Sequence, residues 1–181
     1  MDKELFFEKL FINSDVADKI CKDLNIDRKE YSALALALDT ERKSEIKDIK
    51  RIRTLYYNKR SKEDEFDTNA FSDFNVFYKW YIAQYISQDG KCYYCGTDER
   101  IIAELLERLY SDRKRVKRGL HLEIERKEKN PNIYTPSNCV LACYFCNNDK
   151  SDIFTEIQYR AYLKDRKGFF ISEHNKLNAP R

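Results

Sequence analysis

Two short cysteine motifs, Cys92-x-x-Cys95 and Cys143-x-x-Cys146, constrain this chain more than any other feature. Two thiolates two residues apart can both reach one ion while the amides of the turn bond their sulfurs. A second pair supplies the other half of a tetrahedron. Four thiolates so arranged select zinc, or iron less often. The pairs meet only if the stretch between Cys95 and Cys143 folds back on itself. A structural zinc of this kind contributes on the order of 10–16 kcal/mol of apparent binding energy at neutral pH, enough to dominate the stability of the C-terminal half. Such a site has no open position for water, so the ion is a clamp and not a catalyst. Cys21 and Cys139 stand outside the pairs. Cys21 reads as a core residue, and Cys139 has the wrong spacing for a knuckle.

At 181 residues the chain can bury a core without disulfide staples. Paired cysteines at short spacing in a reducing compartment argue for metal. Charged residues make up 36% of the sequence, yet the net charge is only +3, so partners must be read from the distribution of charge. Thirteen Tyr and eleven Phe are too many for a surface, and most must be core. No apolar run approaches the roughly 20 residues of a membrane span. The start, MDKELFFEKLF, is not a basic stretch followed by an apolar core. No secretory signal is read from it, and the expected location is cytoplasmic.

Residues 2–11 read as an amphipathic helix. Ser14 caps a second with Val16, Ile20 and Leu24 on one face, and Arg28–Leu38 forms a third. In the charged stretch 41–65, Ile46, Ile49, Ile52 and Leu55 recur every three residues, the mark of a helix with one apolar stripe. Its basic residues read most simply as a solvated face, with a phosphate-contacting face as the alternative. Residues 61–69 are polar, a loop or linker. Phe71, Phe74, Phe77, Trp80, Tyr81 and Tyr85 then give an aromatic helix, read as core packed on the cysteine module rather than as a base-stacking platform. Gln88-Asp89-Gly90 stops it, and Glu99–Leu109 is another helix. The alternation Leu120–Glu125 predicts a half-buried strand, with Ile133-Tyr134 starting its returning partner. A helix is expected from Asn138 to about Lys150, and a last one over Thr155–Leu163. The domain reading is a helical N-terminal region 1–68, a cysteine-bearing domain 69–171 and a loose tail 172–181.

The run Asn138-Cys-Val-Leu-Ala-Cys143-Tyr-Phe-Cys146-Asn147-Asn-Asp-Lys150, with the upstream Cys92–Cys95 knuckle, resembles the HNH (ββα-metal) endonuclease family over about residues 88–157. The resemblance implies an α+β, mostly helical chain: an N-terminal helical region plus a ββα-metal finger with a four-cysteine zinc site. It implies phosphodiester hydrolysis assisted by a catalytic Mg2+ or Mn2+. Carried over by position, Asn147 is the helix ligand, Asn138 orients the hairpin, and Lys150 lies near phosphate. The family's first-strand Asp-His falls on Glu125-Arg126. Glu125 suits a hard cation. Arg126 departs from the pattern, because a guanidinium does not serve as a base near neutral pH; the readings open for this catalytic-site position are that Arg126 is an electrostatic clamp, that a tyrosine such as Tyr134 assists, or that the finger mainly binds. His121 shares a strand face with Glu123 and Glu125 and is a candidate for the missing base, although it lies about 13 Å from Glu125 along a strand; the alternative is a site further back on the strand, with His121 and Glu123 facing it.

Just before the first strand, Arg113, Lys114, Arg115, Lys117 and Arg118 form a basic run suited to a phosphate backbone. The expected function is a metal-dependent endonuclease acting on nucleic acid, DNA in preference to RNA, in a restriction, phage-defence or mobile-element setting. The alternatives are a non-catalytic zinc-stabilised nucleic-acid-binding module and an effector subunit. The N-terminal helices are where a second copy or a protein partner would dock.

Overall fold

A computed structural model of the chain describes residues 3–12, 17–108, 118–164 and 168–178. Among them are nine α-helices and one two-stranded antiparallel sheet. No helix of the described residues is long and apolar enough to cross a membrane. The chain divides into two compact units, Met1–Lys59 and Arg60–Arg181.

The first unit holds α1 (Lys3–Ile12), α2 (Ala17–Leu24), α3 (Arg28–Ala37) and most of α4 (Thr40–Arg60). Its core gathers Phe6, Leu10, Ile20 and Leu38, with Leu24, Tyr31, Leu34 and Ile46 packed around them. Asp27 caps α3 in a reciprocal box with Glu30, satisfying amides that the first turn leaves without partners. Along α4, Ile49 and Ile52 of the anticipated stripe are buried, with Tyr56 beside them. Ser14 lies outside the described residues.

The second unit includes residues 60–68. The polar stretch 61–69 is not a bare linker, since Phe66 bridges to Tyr134 and stacks on Phe71 at 5.4 Å between ring centres. Helix α5 (Phe74–Ser87) starts where Asp73 accepts from the Asn75 and Val76 amides at 2.8 and 3.0 Å. Phe77 and Tyr81 are its buried residues. Trp80 Nε1 donates to Pro136 O at 3.3 Å, and the Tyr81 hydroxyl to Leu122 O at 3.3 Å. The aromatic helix is therefore core, fastened to the segments flanking the hairpin. Next in sequence, α6 (Glu99–Arg108) buries Ile102, Leu105 and Leu106.

Strand β1 (Glu123–Arg126) pairs antiparallel with β2 (Cys139–Ala142), Glu123 opposite Ala142 and Arg126 opposite Cys139. Two expectations are corrected at this point. The returning strand is Cys139–Ala142, not Ile133-Tyr134, and the helix begins at Tyr144, not Asn138. The cause is Cys143, whose extended backbone and sulfur cap α7 (Tyr144–Lys150) and so end the strand one residue earlier. After α8 (Glu156–Leu163), residues 172–178 of the expected loose tail belong to α9 (Phe169–Asn178). This helix is anchored on α6 by His174 Nε2, 2.8 Å from Glu104 Oε2, and by Arg108 donating to Asn178 and Leu177. Phe170 stacks on Phe145 at 4.6 Å.

Candidate functional site

The sulfurs of Cys92, Cys95, Cys143 and Cys146 all lie within 4.8 Å of one another, and all four residues are buried. Cys95 Sγ and Cys143 Sγ are 3.9 Å apart, close to the roughly 3.8 Å that a tetrahedron with 2.3 Å zinc–sulfur bonds requires. It is far beyond the about 2 Å of a disulfide. The first knuckle is a turn closed by Gly96 N donating to Cys92 O at 2.8 Å and Cys92 N to Thr97 O at 2.9 Å. Gly96 sits at φ +71°, a left-handed conformation that suits glycine. The buried Thr97 hydroxyl lies 3.3 Å from Cys95 Sγ, placed to donate to a thiolate. In the second knuckle the Cys146 amide points at Cys143 Sγ, 3.5 Å away. Cys95 is driven far below the ordinary thiol range by Cys143, Cys146 and Cys92 bonding to its sulfur. Cys143 is driven up by Cys146 and the other two. Both shifts have one cause: four thiols at one point cannot all ionise without a cation to share the charge. The four residues fit zinc, and the cluster joins the Cys92 turn to the start of α7.

Helix α7 lies across one face of β1. Glu123 and Glu125, two residues apart, point to that face. The Asn147 side-chain amide donates to Glu123 Oε2. One turn further on, Lys150 Nζ donates to Glu125 Oε1 at 3.0 Å and to Arg126 O at 2.8 Å. Sequence reasoning paired Asn147 with Glu125, whereas here it meets Glu123. The reason is the register of α7 on the strand, which sets Lys150 opposite Glu125. Lys150 is 1% exposed and committed to the Glu125 ion pair, so it is not a surface contact for phosphate.

Arg118 completes the cluster. Its Nε and Nη2 both reach the Glu123 carboxylate at 2.9 Å, a two-pronged pairing, and its guanidinium lies 5.2 Å over the Tyr144 ring. Glu123 strengthens the hold of Arg118 on its proton. Gly119 makes this approach possible. It has φ +83°, and a Cβ there would sit 2.5 Å from Tyr144 Cβ. Arg113, Lys114, Arg115 and Lys117 lie outside the described residues.

Asn138 closes the hairpin loop. Its Oδ1 accepts from Glu128 N at 2.9 Å, and its Nδ2 donates to Ile133 O at 3.0 Å and Glu128 O at 3.2 Å. Arg126 points to the rear of the hairpin, donating to Glu65 Oε2 at 2.9 Å and Asn132 O at 3.0 Å, and stacks 4.4 Å over Tyr134. His121 lies beyond the strand end with Nδ1 3.3 Å from Glu99 Oε1, the carboxylate whose other oxygen takes the Leu122 amide.

No protein-family model and no curated protein matches the chain. Among solved structures, the chain is similar to the rare-cutting HNH restriction endonuclease PacI, which perturbs DNA: 26% identity and a TM-score of 0.51 over 67% of this chain and 77% of that one. The hairpin and helix form an HNH-type finger. That finger is built as the sequence pattern implies, with two strands, a helix and a four-cysteine clamp. Its likeness to a restriction endonuclease supports nuclease chemistry of the HNH type. Sequence reasoning placed Glu123 at the site only in an alternative shared with His121, and missed the role of Gly119. Strand alternation was the one signal for Glu123. For Gly119 there was none, because the close approach to Tyr144 is a tertiary contact.

Proposed function

We propose that the chain is a metal-dependent HNH-type endonuclease that hydrolyses phosphodiester bonds in DNA. The convergence of Glu123, Asn147 and Arg118 on one face of a zinc-clamped finger carries this reading. A carboxylate and an amide are hard oxygen donors, and Mg2+ or Mn2+ held by few protein ligands commonly leaves its remaining positions to water and phosphate. The fit rests on Asn147, whose amide can present its oxygen after a half-turn of the side chain. When bound, such an ion neutralises charge developing on the phosphate. Arg118, charged at every accessible pH and aimed at the same carboxylate, binds and orients the phosphate. Asn138 keeps the hairpin loop closed, and Lys150 fixes the α7 register through Glu125.

The test is nicking of supercoiled plasmid in Mg2+ or Mn2+ by wild type, Glu123→Gln, Asn147→Ala and Glu125→Ala. Glu123→Gln and Asn147→Ala are expected to lower cleavage by at least about 100-fold, the scale of losing an interaction made at the reacting centre. Glu125→Ala separates the carboxylate expected from the family pattern from the one that meets Asn147. The second reading, a non-catalytic zinc-stabilised nucleic-acid-binding module, is favoured by one observation. Neither histidine of the chain bonds to the Glu123–Asn147 pair, since His121 is on Glu99 and His174 on Glu104. Duplex binding without cleavage in either metal at any salt concentration decides for that module.

A further inference from the structure

Helix α4 is the longest of the described helices, and its side chains are sorted around its axis. Ile49, Ile52 and Tyr56 are buried on one side. On the opposite side, Lys43, Lys47, Lys50, Thr54 and Asn58 recur at intervals of three and four, all exposed, with Tyr57 beside them at 54% exposure. That spacing makes them neighbours on one face. No acidic residue interrupts the row. Two of the acids of α4 pair with its arginines: Glu45 with Arg42 at 2.9 Å and Asp48 with Arg51 at 3.4 Å.

We propose that this face of α4 is a second nucleic-acid contact, one that grips the phosphate backbone of a duplex. The proposal rests on the nucleic-acid reading above. Lys43 to Lys50 spans about 10 Å at 1.5 Å per residue, which matches about three nucleotides of one strand at 3.4 Å each. Tyr57 adds a neutral hydroxyl of the kind that bonds phosphate and sugar oxygens, whereas the Thr54 hydroxyl already donates to Lys50 O at 2.9 Å. A protein partner fits this face less well. Interface centres are depleted of lysine and rich in apolar and aromatic side chains, and here a single ring accompanies the lysines.

The experiment measures binding of a labelled DNA duplex to the full chain by fluorescence anisotropy over a series of salt concentrations. The variants are Lys43→Gln/Lys47→Gln/Lys50→Gln and the pair Lys47→Gln/Lys50→Gln. The pair is included because Lys43 also donates to Leu36 O at 3.0 Å, a bond that the pair leaves intact. The triple variant is expected to bind more weakly at low salt. Its plot of log affinity against log salt should be shallower by about 2.7, and that of the pair by about 1.8, at about 0.9 per phosphate lost. Lysine-to-arginine versions of both should restore the wild-type slope. Wild-type affinity and slope in folded glutamine variants overturn the proposal. A wild-type chain that binds but does not cleave removes the nuclease reading alone, whereas unchanged slopes in a chain that cleaves remove this surface alone.

Discussion

Lys150 and Glu125 form an ion pair whose side chains are 2% and 11% exposed, so each charge depends on the other. Removing one partner strands the other in a low-dielectric site, at a cost of about 3–5 kcal/mol. Lys150→Met should therefore lower stability by that amount in urea unfolding of the zinc-loaded protein. A Glu125→Leu/Lys150→Met double variant should recover most of the loss. Equal losses in single and double variants would mean that the pair does not act as a unit. Tyr134 has a different dependence. Burial lifts its phenol to about 12, against an opposing pull from Arg126. The raised value means that Tyr134 contributes stability in full below its unfolded value of about 10 and loses it as pH rises through about 12. Between those limits wild type should lose stability with rising pH more steeply than Tyr134→Phe. Parallel curves for the two proteins would show that the phenol is accessible in the folded state.

At the scale of elements, the sequence was most readable where periodicity and punctuation agreed. The helices expected over Glu99–Leu109 and Thr155–Leu163 are close to the observed Glu99–Arg108 and Glu156–Leu163. The segment Cys139–Cys146 was not readable in this way, because a short apolar run fits a buried strand and a helix equally well. Only the capping role of Cys143, set by the cysteine cluster, divides it. Helix α9 was missed because its anchors, Glu104 and Phe145, lie far away in sequence. The four-cysteine cluster was legible from spacing alone, yet the partner of Asn147 was not, since that depends on where α7 crosses β1. Two measurements bear on this scale. A strong chelator should abolish the hairpin and α7, read as loss of amide-exchange protection over 123–150, with protection returning on adding zinc; protection that survives complete zinc removal would make the clamp dispensable. Gly119→Ala should retain zinc but displace Arg118, lowering phosphate binding. A variant binding as wild type would show that Tyr144 yields to the added methyl group.

On the scale of the whole molecule, each unit has its own buried centre, helical in residues 1–59 and assembled around the hairpin and cysteine cluster in residues 60–181. The high tyrosine and phenylalanine content anticipated buried rings but could not say which unit they served. Phe66, Phe71 and Phe77 pack together in the second. The Gln88 side chain, at the end of α5, has a consequence for association. Its Nε2 donates to Leu141 O at 2.7 Å and its Oε1 accepts from Leu141 N at 3.0 Å. A side-chain amide thus stands where the backbone of a third strand would otherwise lie. An open sheet edge is a template for strand addition by another chain. On the β2 side of this finger that template is already occupied. Strand addition by a neighbouring chain is blocked at Leu141, which makes the outer edge of β2 a poor seam for pairing.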